Sequence, residues 1–338
     1  PVGNRLCLNT VDDISVQPFL TLAASRFYQS GTAALAAAIS AAKLLKNKKH
    51  PEVILPAYAC PDLVSAAVFS GVKPVLVDLE AGRPWLDLPQ LADAISDETI
   101  AIIGVNLFGI AERWAALRQM AHQNDLILIE DSAQYFPGNK EDVDWQGDLV
   151  VLSFGRGKPV SLLGGGVVLV KNAVLSELLP EPEPVLFQQR LFALKAKLYN
   201  ALLSPYIYWL PQALPFLHLG ETRYHALDGL EAMAEARLSL LACNISSYQK
   251  DYKAEALHHK ISSLLDTVDK VENLPKVCKM HTNRRLLRYP LLVDAASRDR
   301  MVVKLRQAGL GPSILYPASL PHITGVPDVF DRKKEYPN

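Results

Sequence analysis

From Val53 to Val170 the chain alternates short β-branched runs with helical stretches, and that alternation leaves few folds open. The runs are V-I-L-P (53–56), P-V-L-V-D (74–78), T-I-A-I-I-G-V (99–105), L-I-L-I-E-D (126–131), L-V-V-L-S-F (149–154) and G-V-V-L-V (166–170). Between them lie helical stretches over 62–70, 88–95 and 114–122, preceded by an Ala-rich helix over 33–45 entered through S-G-T. Continuous apolar runs, rather than alternating ones, mark strands buried on both faces, so the reading is a mostly parallel α/β sheet flanked by helices. Ligands of such sheets sit at the carboxyl ends of strands. The polar residues of interest cluster there: Tyr58 and Cys60, Asp78, Asn106, Asp131 and Ser153.

A chain of 338 residues exceeds one small core, so two domains are expected. We place a large domain over 1–220 and a smaller α+β domain over 221–338. In the latter an amphipathic helix over 232–256 precedes a strand (288–293), a helix (298–305) and a strand (309–317). Lys+Arg and Asp+Glu are both 35, so the net charge gives no electrostatic case for nucleic acid or acidic membranes. The four cysteines form no C-x-x-C pair, so neither a metal site nor a disulfide framework is expected, and a reducing, cytoplasmic setting is the default. The N-terminus shows no signal-peptide pattern. The stretch 186–219 is rich in Leu, Tyr, Phe and Trp but broken by Pro205, Pro211 and Pro215. It falls short of the roughly 20 apolar residues that span a bilayer. It reads as two packed helices or a dimer-contact insert, or as a peripheral membrane contact.

The chemistry centres on Lys158, in S-F-G-R-G-K (153–158), with Gly164, Gly165 and Gly166 behind it. A lysine between a buried strand and a glycine turn is expected to be desolvated, which lowers its pKa and favours attack on a carbonyl. Asp131, in E-D-S-A-Q, ends a neighbouring strand and could pair with a protonated pyridine nitrogen. Together they suggest a Schiff-base lysine and a pyridoxal phosphate site. Ser30, Gly31 and Thr32 open the first long helix, where backbone N–H groups, hydroxyls and the dipole favour a phosphate. Ser153 could donate to the same phosphate and Gln134 could reach the ring. Arg156 reads as exposed.

These motifs, in this order, resemble the DegT/StrS-type sugar aminotransferases of fold type I. The matching segments are S-G-T-A-A-L (30–35), P-A-Y-A-C-P (56–61), G-V-K-P-V-L-V-D (71–78), N-L-F-G (106–109), E-D-S-A-Q (130–134), S-F-G-R-G-K (153–158) and L-Y-P-A-S-L-P-H (315–322). The resemblance implies an aspartate-aminotransferase-like large domain, a small C-terminal domain and a homodimer with shared active sites. It implies that Lys158 bonds the cofactor and moves protons, and that Asp131 holds the pyridinium. Ser153, Gly31, Thr32 and Ala33 would hold the phosphate, Cys60 and Gln134 would contact the ring, and Tyr58, Asn106 and Tyr316 would face substrate. The implied reaction is ping-pong: an amino acid, usually glutamate, gives its amine to the cofactor, and a nucleotide-linked keto-sugar takes it up.

Four positions depart from that pattern. Cys60 stands where the family stacks an aromatic residue, which leaves that role to Tyr58 or Phe108, or leaves the stack missing. Asn106 stands where His is common. Leu163 and Gly164 replace a Gly-Glu pair. G-E-T-R-Y-H-A-L (220–227) lacks the asparagine that reaches the partner's phosphate. The family also continues beyond a Y-P-N-like segment, so further C-terminal residues are expected. These departures motivate a second reading, a cofactor-binding regulatory paralogue without turnover. A sugar dehydratase would carry His in place of Lys158, and a cysteine desulfurase would need its cysteine on a mobile loop rather than at a strand end.

Overall fold

The computed structural model describes residues 5–9, 17–20, 22, 24–186, 188–204, 221–251, 253–265, 271–279, 284–330 and 334–337. Seven strands form one sheet: β1 (Ala24–Tyr28), β2 (Glu52–Pro56), β3 (Lys73–Val77), β4 (Thr99–Val105), β5 (Ile127–Asp131), β6 (Leu149–Ser153) and β7 (Gly166–Val170). Their order is β1-β7-β6-β5-β4-β2-β3. β6, β5, β4, β2 and β3 run parallel, and β7 is antiparallel to both its neighbours. Helix α1 (Gln17–Leu20) precedes β1; the helices between strands are α2 (Gly31–Lys46), α3 (Asp62–Phe69), α4 (Leu88–Ala94) and α5 (Trp114–Gln123), with α6 (Ala173–Leu178) after β7. This is the α/β architecture that the apolar runs predict. The expected strands over 53–56, 99–105 and 166–170 lie within a residue of the observed ones. β1 was not anticipated: A-S-R-F-Y is short and half polar, as suits an edge strand.

Strand alternation sorts the core. In β6, Leu149 and Val151 join the cluster under α2 and α3, while Val150 and Leu152 join the cluster on the opposite face. α2 buries nine residues, seven of them alanine, so its backbone can lie close against the sheet. Ser30 caps its N-terminus by accepting the Ala33 N–H, and Asn47 ends it in the left-handed region at φ 46°.

The C-terminal part departs from expectation in two places. The single helix expected over 232–256 is three pieces, α8 (Glu235–Leu238), α9 (Leu241–Lys250) and α10 (Lys253–Leu265). β8 (Val271–Asn273) and β9 (Leu291–Val293) pair antiparallel as a separate two-stranded sheet. The strand expected over 309–317 does not form. Gly309 sits at φ 79°, and Pro312 and Pro317 have no N–H to give a ladder. Instead Leu320 donates its N–H to Ala57 O at 2.8 Å, and Tyr316, Leu320, Ile323 and Val326 pack into the core beneath α2.

Of the apolar stretch 186–219, one helix is described, α7 (Gln189–Leu202). Residues 205–220, with Pro205, Trp209, Pro211 and Pro215, lie outside the described residues. Leu6 and Cys7 are docked by two amides. Asn200 bridges the Leu6 N–H and C=O, and Asn244 does the same for Cys7. The docking aligns Cys7 with Cys243, and the two form a disulfide across a sequence separation of 236. This corrects the expectation that no cysteines pair: so long a spacing leaves no trace in the sequence.

Candidate active site

All the predicted residues except those around Tyr316 come from the carboxyl ends of β2, β4, β5 and β6 or from the start of α2. That edge is where parallel strands present their ends to a ligand. Three glycines bring the pieces together. A Cβ on Gly31 would lie 2.6 Å from Ser153 Cβ, and one on Gly166 would lie 2.5 Å from Ser30 O. The N-terminus of α2 is therefore wedged against the end of β6, with the Ser153 hydroxyl beside Gly31. Gly165, at φ 100°, holds the same junction and faces Met233. Ser30 Oγ takes the Ala33 N–H at 3.1 Å. The Thr32 hydroxyl has no hydrogen-bond partner among the described residues. A helix start, two nearby hydroxyls and a side-chain-free approach fit an anionic group.

Asp131 is buried at the end of β5. Its Oδ1 accepts the Ala133 N–H at 2.8 Å, and no donor among the described residues reaches Oδ2. Burial pushes its carboxyl above the ordinary value; the Ala133 N–H and the Lys158 ammonium oppose that, and Asp62 adds to it. A buried carboxylate with an open acceptor calls for a cationic or N–H partner. Lys158 follows the turn at Gly155, donating its N–H to Gly155 O at 3.3 Å. Its side chain is half-buried, less enclosed than the expected desolvated lysine. Arg156 is exposed, as read.

Cys60 faces the same space. Burial, then Asp62, pushes its thiol up to about 12, while Lys158 pulls the other way. That direction favours the neutral thiol over the thiolate. Asp62, the first residue of α3, is a site residue that the sequence reading missed. Its signal was available, since an acid directly follows the A-C-P turn at a strand end.

Gln134 is already engaged: its Oε1 accepts the Phe108 N–H at 2.9 Å and its Nε2 donates to Tyr316 Oη at 3.1 Å. It ties the turn after β4 to the returning C-terminal segment. Phe108 adopts φ 60°, an uncommon conformation for a bulky residue and one that marks a constrained turn. Tyr58 and Tyr316 meet edge to face at 5.2 Å, and the Tyr58 hydroxyl bonds the Tyr316 backbone. The Tyr316 phenol is raised well above its ordinary value, first by burial and then by Cys60 and Asp131.

Asn106 is placed differently from its reading as a substrate residue. It is fully buried. Its Nδ2 donates to Glu130 Oε1 at 3.0 Å and Ser132 Oγ at 2.6 Å, and its Oδ1 accepts from Glu112 N and Trp114 Nε1, both at 3.3 Å. No polar group of Asn106 is left for a substrate. Among the described residues no group of three His, Cys, Asp or Glu is arranged to hold a metal.

Residues 23–180, which carry this edge from β1 to β7, match the DegT/DnrJ/EryC1/StrS aminotransferase family. That stretch belongs to the family. Among its relatives, a dTDP-4-amino-4,6-dideoxy-D-glucose transaminase of Shigella dysenteriae is 30% identical over 161 residues, 47% of this chain and 42% of that one. A UDP-N-acetyl-3-dehydro-alpha-D-glucosamine 3-aminotransferase of Acidithiobacillus ferrooxidans is 32% identical over 149 residues, 43% of this chain and 40% of that one. The chain thus spans less than half the length of these curated relatives. The fold similarity extends further. NtdA of Bacillus subtilis, solved with bound cofactor PMP, superposes with TM-score 0.67 at 18% identity over 93% of this chain and 65% of its own. A DegT DnrJ EryC1 StrS aminotransferase from Brucella abortus gives 0.64 at 18% over 92% and 77%. The similarity in fold therefore covers nearly the whole chain, beyond the 23–180 stretch that the family model matches.

Proposed function

We propose that this chain is a pyridoxal-phosphate-dependent aminotransferase that moves an amino group from an amino acid, glutamate as the first choice, to a nucleotide-linked keto-sugar. The observation that carries the reading is Asp131, buried, with one oxygen committed to Ala133 and the other open, and within electrostatic reach of Lys158. When bound, the cofactor supplies a bonded carbonyl carbon and a protonated ring that withdraws electrons from the reacting carbon. Asp131 would keep the ring nitrogen protonated, as an ion pair in a dry site. Gly31, Thr32, Ala33 and Ser153 would hold the phosphate at the α2 N-terminus. Lys158 would provide the amine that anchors the cofactor and, when free, the base that carries a proton across one face.

The ring's flanks differ from a stacked aromatic site. Cys60 would offer a small, neutral surface, and the Tyr58–Tyr316 pair a wall beside it. The relatives' names tie this family stretch to dTDP- and UDP-linked sugars, which supports a nucleotide-sugar acceptor. Two half-reactions through one site, ping-pong, follow from using a single cofactor for donor and acceptor. A homodimer with shared active sites is the assembly this reading carries with it.

A regulatory role is favoured by one further observation beside Cys60: a pleiotropic regulatory protein of Geobacillus stearothermophilus is 30% identical over 123 residues, 36% of this chain and 33% of that one. One experiment separates the readings. The chain is loaded with pyridoxal phosphate, a sample is reduced with borohydride and digested, and the rest is mixed with L-glutamate. The proposal expects the reduced label on Lys158 and loss of the visible band with glutamate. Label on Lys158 without amine transfer from any common amino acid favours the regulatory reading. No label at all overturns both.

A further inference from the structure

Helix α7 shows solvent a face that a helix on a water-facing surface rarely carries. Its inner residues Phe192 and Ala196 are buried against the cluster formed with β6, β7 and α9. Leu191, Leu194 and Leu198 are 43%, 65% and 57% exposed. At 3.6 residues per turn these three form a single outward stripe, clear of the buried side. Arg190 and Lys197 fall on one flank of that stripe and Lys195 on the other, all exposed. Between Glu183 and Glu221 the sequence has no acidic residue, in a chain whose acids and bases otherwise balance at 35 each.

A leucine stripe flanked by basic side chains and free of acids fits one kind of surface. Apolar side chains enter the acyl boundary of a bilayer while lysine and arginine stems extend to anionic headgroups. A second copy of the helix fits poorly, because Arg190, Lys195 and Lys197 would meet their own like charges. We infer that α7 is a peripheral docking helix for an anionic lipid surface, which would hold the catalytic edge near a membrane without any spanning segment. Among the described residues no helix is long and apolar enough to cross one. This inference is independent of the proposed chemistry, and its test does not read activity.

The test is flotation of the full chain with phosphatidylcholine vesicles, with and without roughly one-third phosphatidylglycerol. The expected result is flotation with the anionic vesicles only, lost at about 0.5 M salt. Leu194→Asp with Leu198→Asp should lower the bound fraction at least about tenfold, with circular dichroism unchanged. A triple Arg190→Gln, Lys195→Gln, Lys197→Gln variant, which leaves every leucine in place, should also fail to float. Three results overturn the inference: no flotation of the wild-type chain at low salt, equal flotation of the variants, or a leucine variant that changes oligomer size on gel filtration while floating normally. The last would make α7 a contact between copies.

Discussion

Glu130 and Asp131 are consecutive residues at the end of β5, both buried, yet they sit in opposite polar environments. Glu130 points to a closed network. Its Oε1 accepts from Asn106 and Ser132, and its Oε2 from the N–H groups of Gln146 and Gly147, at 2.5–3.0 Å. Burial raises its carboxyl, and these donors together with Arg284 pull it back. The network continues through Asn106 to Trp114 and Glu112. Asp131 faces the other way, toward Lys158, Asp62 and Cys60, with a single backbone donor. One carboxylate is complete within the protein and the other is not. On the proposed function the difference gives Glu130 to the fold and Asp131 to a ligand, although sequence alone offers two adjacent acids.

The largest effect tests the incomplete side. Asp131→Asn should lower amine transfer by about a thousandfold or more, because a neutral amide no longer holds the ring nitrogen protonated. The thermal midpoint should stay close to wild type, as only the Ala133 bond is disturbed. Steady-state rates with saturating cofactor, beside a melting curve, check both halves.

Glu130→Gln should do the opposite. Its amide would turn a donor toward N–H groups that now find an acceptor, costing about 2–4 kcal/mol of stability. At low temperature the folded fraction should still transfer amine within a few-fold of wild type. Urea unfolding is the measurement.

Much of this arrangement was legible in the sequence, and the failure at Asn106 shows where legibility ends. The apolar runs placed the strand ends, and Lys158, Asp131 and Ser153 all fall on the predicted edge. Asn106 was read as facing substrate because it follows a buried strand. Parity held the answer. Val105 pairs with Asp131 in the sheet register, so Asn106 aligns with Ser132, and Ser132 shares a face with Glu130 rather than with Asp131. The pairing register is a tertiary fact, and without it a strand-end polar residue looks the same on either face. The Cys7–Cys243 bond and the return of Tyr316 to the large core were invisible for a related reason, since each joins segments far apart in sequence.

The closed network also carries a pH signature. Burial pushes Glu112 up to about 7, against two backbone N–H donors and Arg113. Its folded value lies above its ordinary 4.5, so the native state binds the proton more tightly. The stability it contributes is complete below about 4.5 and lost as pH rises through about 7, a change on the order of 3 kcal/mol. Glu112→Gln should flatten the stability profile across that window, as read from urea midpoints at pH 5 and pH 8. An unchanged slope would place the titration elsewhere.

The smallest expected effect lies on the open side. Cys60→Phe restores a stacking surface beside Asp131, worth about 0.5–1.5 kcal/mol. Cofactor affinity should therefore tighten roughly two- to tenfold by fluorescence titration. A loss of affinity would mean that the space at Cys60 is already filled by the Tyr58–Tyr316 pair.

The central claim, that Asp131 is completed by a ligand and Glu130 by the protein, is tested most directly by a crossed comparison on one plate. Wild type, Asp131→Asn and Glu130→Gln are each melted with and without saturating pyridoxal phosphate. The account predicts that the cofactor raises the midpoints of wild type and Glu130→Gln by similar amounts, from different starting points. Asp131→Asn should start at the wild-type midpoint and gain much less. An equal cofactor-induced shift in Asp131→Asn, or a lost shift in Glu130→Gln alone, would contradict it.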